Sequence, residues 1–209
     1  AEEIIAKSSN VGMVKLCAGL DPNQILRTYY SLGLGKYMNE IFIPTREGYL
    51  PEYKNLSLRE KVSLCYGYGL QTTLVQLTSA YSTIFSDGVY RPFKLIKNSS
   101  KFEEEERIFS KESADQIKKI LYKAIKNGTG FRATVKNHDV FGKTGTARIF
   151  KNQKYNTDLH NALFIGMTKV EDKEFLIGLF VKNPQINGEG GGDVAAPIFS
   201  EIIETIQKL

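Results

Sequence analysis

Cysteine and histidine are scarce in this 209-residue chain, with two of each. Cys17 and Cys65 are too few and too far apart for a zinc knuckle, a redox pair or a disulfide scaffold, and read as small buried hydrophobes. His138 and His160 stand at metal-ligand spacing from no Cys or carboxylate, so neither a metal nor another cofactor is expected. Long apolar runs are also missing. No uninterrupted stretch of about 18 apolar residues occurs, and Ala1-Glu2-Glu3-Ile4-Ile5 lacks the basic n-region and apolar core of a signal peptide. Charge is only mildly unbalanced, with 28 Lys plus Arg against 23 Asp plus Glu and a net charge of +5. No basic stripe alternates with aromatics, and the longest like-charge run is the acidic Glu103-Glu104-Glu105-Glu106. Nucleic acid is therefore not an expected partner.

What remains is a chain with 42% hydrophobic residues, enough for a packed core in one large domain or in part of a larger one. It starts on helix-forming residues with no N-cap before them, which suggests a start inside a domain. Glu2 to Lys7 and Val11 to Leu20 read as short helices separated by the polar turn Ser8-Ser9-Asn10, where Ser9 or Asn10 could cap the second. Asp21-Pro22 opens another helix, which stops at Gly33-Leu34-Gly35. Lys36 to Lys61 shows no regular period and reads as a long connection. After the bend Cys65-Tyr66-Gly67-Tyr68-Gly69, a helix with the apolar stripe Leu74, Leu77, Tyr81, Ile84 and Phe85 is expected to face the core and to end at Asp87-Gly88. Tyr90 to Ile96 reads as an edge strand because of Pro92, and Asn98 to Glu106 as a solvated excursion. Ser110 then caps an amphipathic helix, with Ile117, Ile120, Leu121, Ala124 and Ile125 facing inward, that ends at Asn127-Gly128.

The last third predicts three consecutive antiparallel strands, residues 140–150, 161–167 and 175–181, the last two joined by the charged tip Glu171-Asp172-Lys173. Their near-continuous hydrophobicity predicts cover on both faces. Gly188-Glu189-Gly190-Gly191-Gly192 breaks the pattern before a closing helix striped by Ala195, Ile198, Phe199, Ile202, Ile203 and Ile206. Gly190-x-Gly192-x-x-Ala195 touches the dinucleotide fingerprint, but too little chain follows for a second βαβ strand.

The stretch that carries chemistry is Val140-Phe141-Gly142-Lys143-Thr144-Gly145-Thr146-Ala147. Apolar flanks make it a strand, Gly142 and Gly145 leave its centre open, and one Lys with two Thr supplies charge and hydroxyls for an anion. A P-loop is excluded, because the Gly it needs five residues before Gly-Lys is Asn137 here. Lys-Thr-Gly alone also fits a surface strand with no ligand.

Taken together, Ser8-Ser9-Asn10 and Lys143-Thr144-Gly145-Thr146 resemble two of the three signatures of penicillin-recognising serine acyltransferases. The resemblance extends through Tyr66-Gly67-Tyr68-Gly69-Leu70, Thr73-Leu74-Val75-Gln76-Leu77, Asp87-Gly88-Val89-Tyr90-Arg91-Pro92 and Gly191-Gly192-Asp193-Val194-Ala195-Ala196-Pro197-Ile198-Phe199, in the family's order. The whole chain, residues 1–209, is similar to the C-terminal portion of the transpeptidase domain of a class B penicillin-binding protein, most of all the division-specific septal type. This implies an α+β fold, an antiparallel sheet packed with helices as in serine β-lactamases, incomplete on its N-terminal side. The third signature, Ser-x-x-Lys, is absent: no Ser has Lys three residues on. The expectation is a portion lacking the nucleophile, the pedestal and the membrane anchor, inactive on its own. Leu74 replaces the family's usual Pro, which should alter a helix start and leave the chemistry alone.

By this resemblance the complete protein is a D,D-transpeptidase that cross-links peptidoglycan stem peptides at division through a serine acyl-enzyme, and it is a target of β-lactams. Ser8 would relay a proton, Asn10 would bind the substrate amide, Lys143 would make the site positive, and Thr144, Gly145 and Thr146 would hold the substrate carboxylate. The Thr146 N–H would form half of an oxyanion hole. Implied partners are stem peptides ending in D-Ala-D-Ala, β-lactams and membrane proteins of the division machinery, at the outer face of the bacterial cytoplasmic membrane. The alternatives are a non-catalytic stem-peptide or scaffold module, and a β-lactamase or β-lactam sensor domain.

Overall fold

Side-chain caps start the α-helices of the first of two units, which comprises Ala1 and Ser9–Ile117; the second comprises Glu2–Ser8 and Lys118–Leu209. The computed structural model describes residues 1–37, 46–94, 105–151, 154–185, 188 and 190–209. Leu95, Ile96, Asn98 to Glu104, Glu189 and the middle of the expected 36–61 connection lie outside the described residues.

Helix α1 (Glu2–Ala6) is followed by a turn in which Ser8 takes φ 54°, and then by α2 (Asn10–Cys17). Ser9 is the cap: its Oγ accepts the Gly12 N–H at 3.1 Å. Asp21 caps α3 (Pro22–Ser31) by accepting the Asn23 N–H at 2.9 Å. The helix stops where Gly33 and Gly35 take φ 84° and 70°. At Gly33 a side chain is excluded twice, by its backbone and by the Tyr90 hydroxyl, which lies 2.2 Å from where a Cβ would sit.

The expected irregular connection is shorter than its sequence suggests. A 3-10 turn (Tyr53–Asn55) leads to α4 (Leu58–Leu64), started by a capping box at Ser57 and Glu60. The Glu60 carboxylate accepts the Ser57 N–H at 2.8 Å, and Ser57 Oγ accepts the Glu60 N–H at 3.3 Å. Helix α5 (Leu74–Phe85) has a second capping box, Thr73 with Gln76. Leu74 is its first residue, a position that also tolerates Pro, so the helix begins where a Pro would begin it.

The most buried face of α5 is not its apolar stripe. Gln76, Ser79, Ala80 and Thr83 are buried, while Leu74, Leu77, Tyr81, Ile84 and Phe85 are half-buried. Gln76 is buried with all its hydrogen-bonding capacity used. Its Oε1 accepts from the Thr73 N–H (2.9 Å) and the Thr72 hydroxyl (3.2 Å), and its Nε2 donates to the carbonyls of Lys36 (2.7 Å) and Glu47 (2.9 Å). Among the described residues of the expected Tyr90–Ile96 strand only Tyr90 is in a strand, β1 (Val89–Tyr90), paired antiparallel with β2 (Glu106–Arg107) at the end of the stretch expected to be solvated.

Helix α6 (Lys111–Lys126) starts at Ser110, whose Oγ accepts the Ser113 N–H at 3.2 Å. Leu121, Ala124 and Ile125 are buried, and Ile117 and Ile120 half-buried. In the second unit a 3-10 turn (Phe131–Ala133) precedes β3 (Val140–Lys151), β4 (Lys154–Val170) and β5 (Lys173–Lys182), an antiparallel sheet in the order β3-β4-β5. Both faces are covered on β4, where Ala162, Phe164, Ile165, Thr168 and Val170 are buried. On β5 they are not: Phe180 is 46% exposed, as suits an edge strand.

Helix α7 (Ala195–Ile206) packs on β4, β5 and the Phe131–Ala133 turn. Its Ala195, Ala196, Phe199 and Ile203 complete the core with Ile125, Val135, Val140 and Phe164. Phe164 and Phe199 meet edge to face at 5.2 Å. The Phe164 ring also accounts for glycine at paired positions 142 and 166: a Cβ at either would lie 2.7 or 2.5 Å from it. The ring thus packs tightly across the backbone of β3 just before Lys143.

Cys17 and Cys65 are free thiols, expected to be buried hydrophobes and found half-buried. Among the described residues no group of three or more His, Cys, Asp and Glu could hold a metal, and no helix is long and apolar enough to cross a membrane.

Candidate active site

Strand β3 pairs through its centre with β4, Lys143 opposite Ile165, Thr144 opposite Phe164 and Thr146 opposite Ala162. Alternation along the strand puts Thr144 and Thr146 on one face. The Lys143 ammonium nevertheless bends back to its neighbour: Nζ donates to the Thr144 carbonyl (3.2 Å) and approaches Thr144 Oγ1 (3.5 Å). Its other partner is distant in sequence, for Nζ also donates to Ser8 Oγ. Ser8 is presented by the turn after α1, in left-handed backbone that is uncommon for a residue bearing a Cβ.

Every one of these Lys143 partners is a neutral oxygen. Burial alone lowers the ammonium's pKa from 10.5 to about 8. A partly desolvated cation beside hydroxyls is a receptor for an anion, and near pH 8 it can also take up or release a proton through Ser8.

Two further groups frame the threonines. The N–H of Gly191 donates to Thr146 Oγ1 at 3.1 Å, which leaves the Thr146 proton free for an acceptor. Gly191 lies so close to β3 and β4 that a Cβ there would sit 2.1 Å from the Leu163 carbonyl oxygen and 2.5 Å from that of Gly145. On the other side, Thr129 Oγ1 lies 2.5 Å from Thr144 Oγ1.

The second unit therefore brings together Ser8, Lys143, Thr144, Gly145 and Thr146 of the residues expected from sequence. Asn10, the first residue of α2, is described with the first unit. Thr129 and the Gly191 N–H were not anticipated. Asn127-Gly128-Thr129-Gly130 reads only as a helix stop, and Gly191 as part of a glycine-rich break and of a segment resembling the family, with no role in the site.

Comparison with known proteins places the chain in a family. Residues 1–204 match the family model for the penicillin binding protein transpeptidase domain. The chain is 33% identical to peptidoglycan D,D-transpeptidase FtsI of Buchnera aphidicola (Schizaphis graminum) over 98% of its own length and 36% of that protein. It is 30% identical to FtsI of Escherichia coli K12 over 96% of its length and 34% of that protein. It thus spans about a third of these curated relatives. Among solved structures, the transpeptidase domain of Burkholderia pseudomallei penicillin-binding protein 3 superposes with a TM-score of 0.89 at 30% identity, over 99% of this chain and 63% of that one. Penicillin-binding protein 3 of Mycobacterium tuberculosis complexed with aztreonam gives 0.87 at 27% identity, over 100% and 51%. With a family match over nearly its whole length and the same mixed helix-and-sheet fold, this chain belongs to the penicillin-binding protein transpeptidase family, class B of the FtsI/PenA type.

Proposed function

We propose that the 209 residues carry the Lys-Thr-Gly side of the active site of a peptidoglycan D,D-transpeptidase acting in division, whose nucleophilic serine lies in a segment outside them. The observation that supports this most directly is the Lys143 ammonium, held among neutral oxygens and donating to Ser8. In the reaction, a serine attacks the carbonyl between the two terminal D-Ala residues and D-Ala leaves as an amine. A stem-peptide amine from a neighbouring strand then resolves the acyl-enzyme and forms the cross-link. Lys143 supplies the positive potential for the terminal carboxylate and lowers the cost of removing the Ser8 proton, and Ser8 passes a proton to the departing amine. Asn10 binds the substrate amide, Thr144 and Thr146 donate to the carboxylate, and the Thr146 N–H faces the developing oxyanion. The same carboxylate-and-carbonyl recognition admits β-lactams. The complete protein is anchored at the outer face of the cytoplasmic membrane among division proteins, and the 209 residues alone are inactive.

Intact-mass analysis before and after incubation with benzylpenicillin tests this. The 209-residue polypeptide is expected to gain no mass, whereas the full-length protein gains one acyl group and loses that ability in Lys143→Ala. Near-normal acylation of Lys143→Ala would overturn the site assignment. A full-length protein that gains no mass would favour a non-catalytic stem-peptide module, and rapid turnover of the drug would favour a β-lactamase.

A further inference from the structure

Three backbone or side-chain groups of a single residue, Thr129, meet three different parts of the second unit. Its N–H donates to the carbonyl of Ala6 at 3.3 Å, two residues before Ser8. Its Oγ1 lies 2.5 Å from that of Thr144, on the strand that carries Lys143. Its carbonyl oxygen faces Gly192, where a Cβ would sit only 2.4 Å away, next to the Gly191 that donates to Thr146. The preceding Gly128 makes the first contact possible, because a Cβ there would lie 2.3 Å from the Ala6 carbonyl oxygen. Thr129 is itself exposed, so no packing need explains a hydroxyl at this position.

The proton count of the hydroxyl pair gives Thr129 a definite task. Two hydroxyls in contact share one proton and keep one spare. If Thr144 donates to Thr129, the spare proton belongs to Thr129 and Thr144 offers the site an oxygen lone pair. If Thr129 donates to Thr144, the spare proton is on Thr144. The second arrangement suits an anion, and the Lys143 ammonium, 3.5 Å from Thr144 Oγ1, polarises that hydroxyl further as a donor. Gly191 holds Thr146 in the same role from the other side.

We propose that Thr129 is a positioning residue of this site: its hydroxyl donates to Thr144, so that Thr144 meets a ligand carboxylate as a donor. The inference rests on the reading of the site as a carboxylate-recognising transpeptidase centre. Without the Thr129 hydroxyl, Thr144 keeps its proton but loses the partner that fixes its direction, and carboxylate-bearing ligands bind less tightly.

The test uses the full-length protein and two probes, benzylpenicillin and its methyl ester, which has no carboxylate. Thr129→Val, close in shape but without a hydroxyl, is expected to acylate about tenfold more slowly with benzylpenicillin at subsaturating concentration, the size of one lost hydrogen bond. The loss should appear as weaker binding, with the limiting acylation rate within twofold of wild type. With the ester, Thr129→Val and wild type should react alike. Thr129→Ser, which restores the hydroxyl, should recover wild-type behaviour with both probes. Equal slowing with acid and ester, or a Thr129→Ser variant as slow as Thr129→Val, would mean a structural role and overturn the proposal, as would wild-type kinetics in Thr129→Val. Lys143→Ala separates the two levels of argument. If it acylates normally, the site reading itself is wrong; if it fails while Thr129→Val is normal, only the role of Thr129 is wrong.

Discussion

Lys143 ties protein stability to pH in a direction opposite to that of a lysine in a salt bridge. Its pKa falls from 10.5 to about 8 through burial. At about 1.4 kcal/mol for each tenfold change in proton affinity, burying the ammonium costs the folded state about 3 kcal/mol. Below pH 8 the group is charged in both folded and unfolded chains, and the whole cost is present. Between pH 8 and 10.5 the folded chain holds a neutral amine while the unfolded chain still binds the proton, so stability rises with pH. Above 10.5 both are neutral and the cost is gone. The variant Lys143→Met keeps an unbranched apolar stem without the titrating group. Urea unfolding of both proteins at pH 7.5 and 10.5 should show wild type gaining about 3 kcal/mol on the variant across that interval. Tyr29, Tyr81 and Cys17, pushed up by burial to about 12, titrate above the window and are common to both proteins. A wild-type-minus-variant difference that stays constant, or a Lys143 resonance titrating near 10.5, would refute the argument that the ammonium is desolvated.

Other outcomes follow from individual contacts. Gly191→Ala places a Cβ against two carbonyl oxygens of the sheet, and should lower unfolding free energy by about 2–3 kcal/mol; an unchanged urea midpoint would mean that the turn can retreat from β3. Phe199→Ala removes the ring packed against Phe164 in the core and should cost about 3–5 kcal/mol in the same assay. Burial and the neighbouring Cys65 push the Cys17 thiol up to about 12, so at pH 8 its thiolate is scarce and its alkylation, followed by peptide mass spectrometry, should run clearly slower than that of an unperturbed thiol; an equal rate would count against that environment.

Much of this architecture is legible in the sequence because its signals are local. Ser9, Asp21, Thr73 and Ser110 stand where helices begin, and the alternation of apolar strands with a charged tip gives the antiparallel hairpin. Helix α4 is harder to see, because its seven residues are too few to establish a period, although Ser57-x-x-Glu60 marks its start. The buried face of α5 escapes an apolar-stripe argument for a different reason. Gln76 enters the interior because four partners satisfy its amide, and two of those, the carbonyls of Lys36 and Glu47, lie in segments whose proximity no periodicity reveals. In the site, the strand around Lys143 is legible from its own residues. Its pairing with Ser8 spans 135 positions, and sequence alone gives it only through resemblance to a family. Thr129 has no local signature, since its meaning depends on which carbonyl and which hydroxyl folding brings beside it.

Gln76 also bears on how this part of the fold can vary in length. By gripping the carbonyls of Lys36 and Glu47 with one amide, it fixes the two ends of the intervening segment independently of what lies between. The antiparallel bridge of Tyr49 to Gln71 secures the chain just beyond. Once both ends are fixed, doubling the span between them adds only about 0.6 kcal/mol of closure entropy. A change of length between residues 36 and 47 therefore costs little closure entropy as long as a glutamine, or an equivalent double donor, is kept on α5.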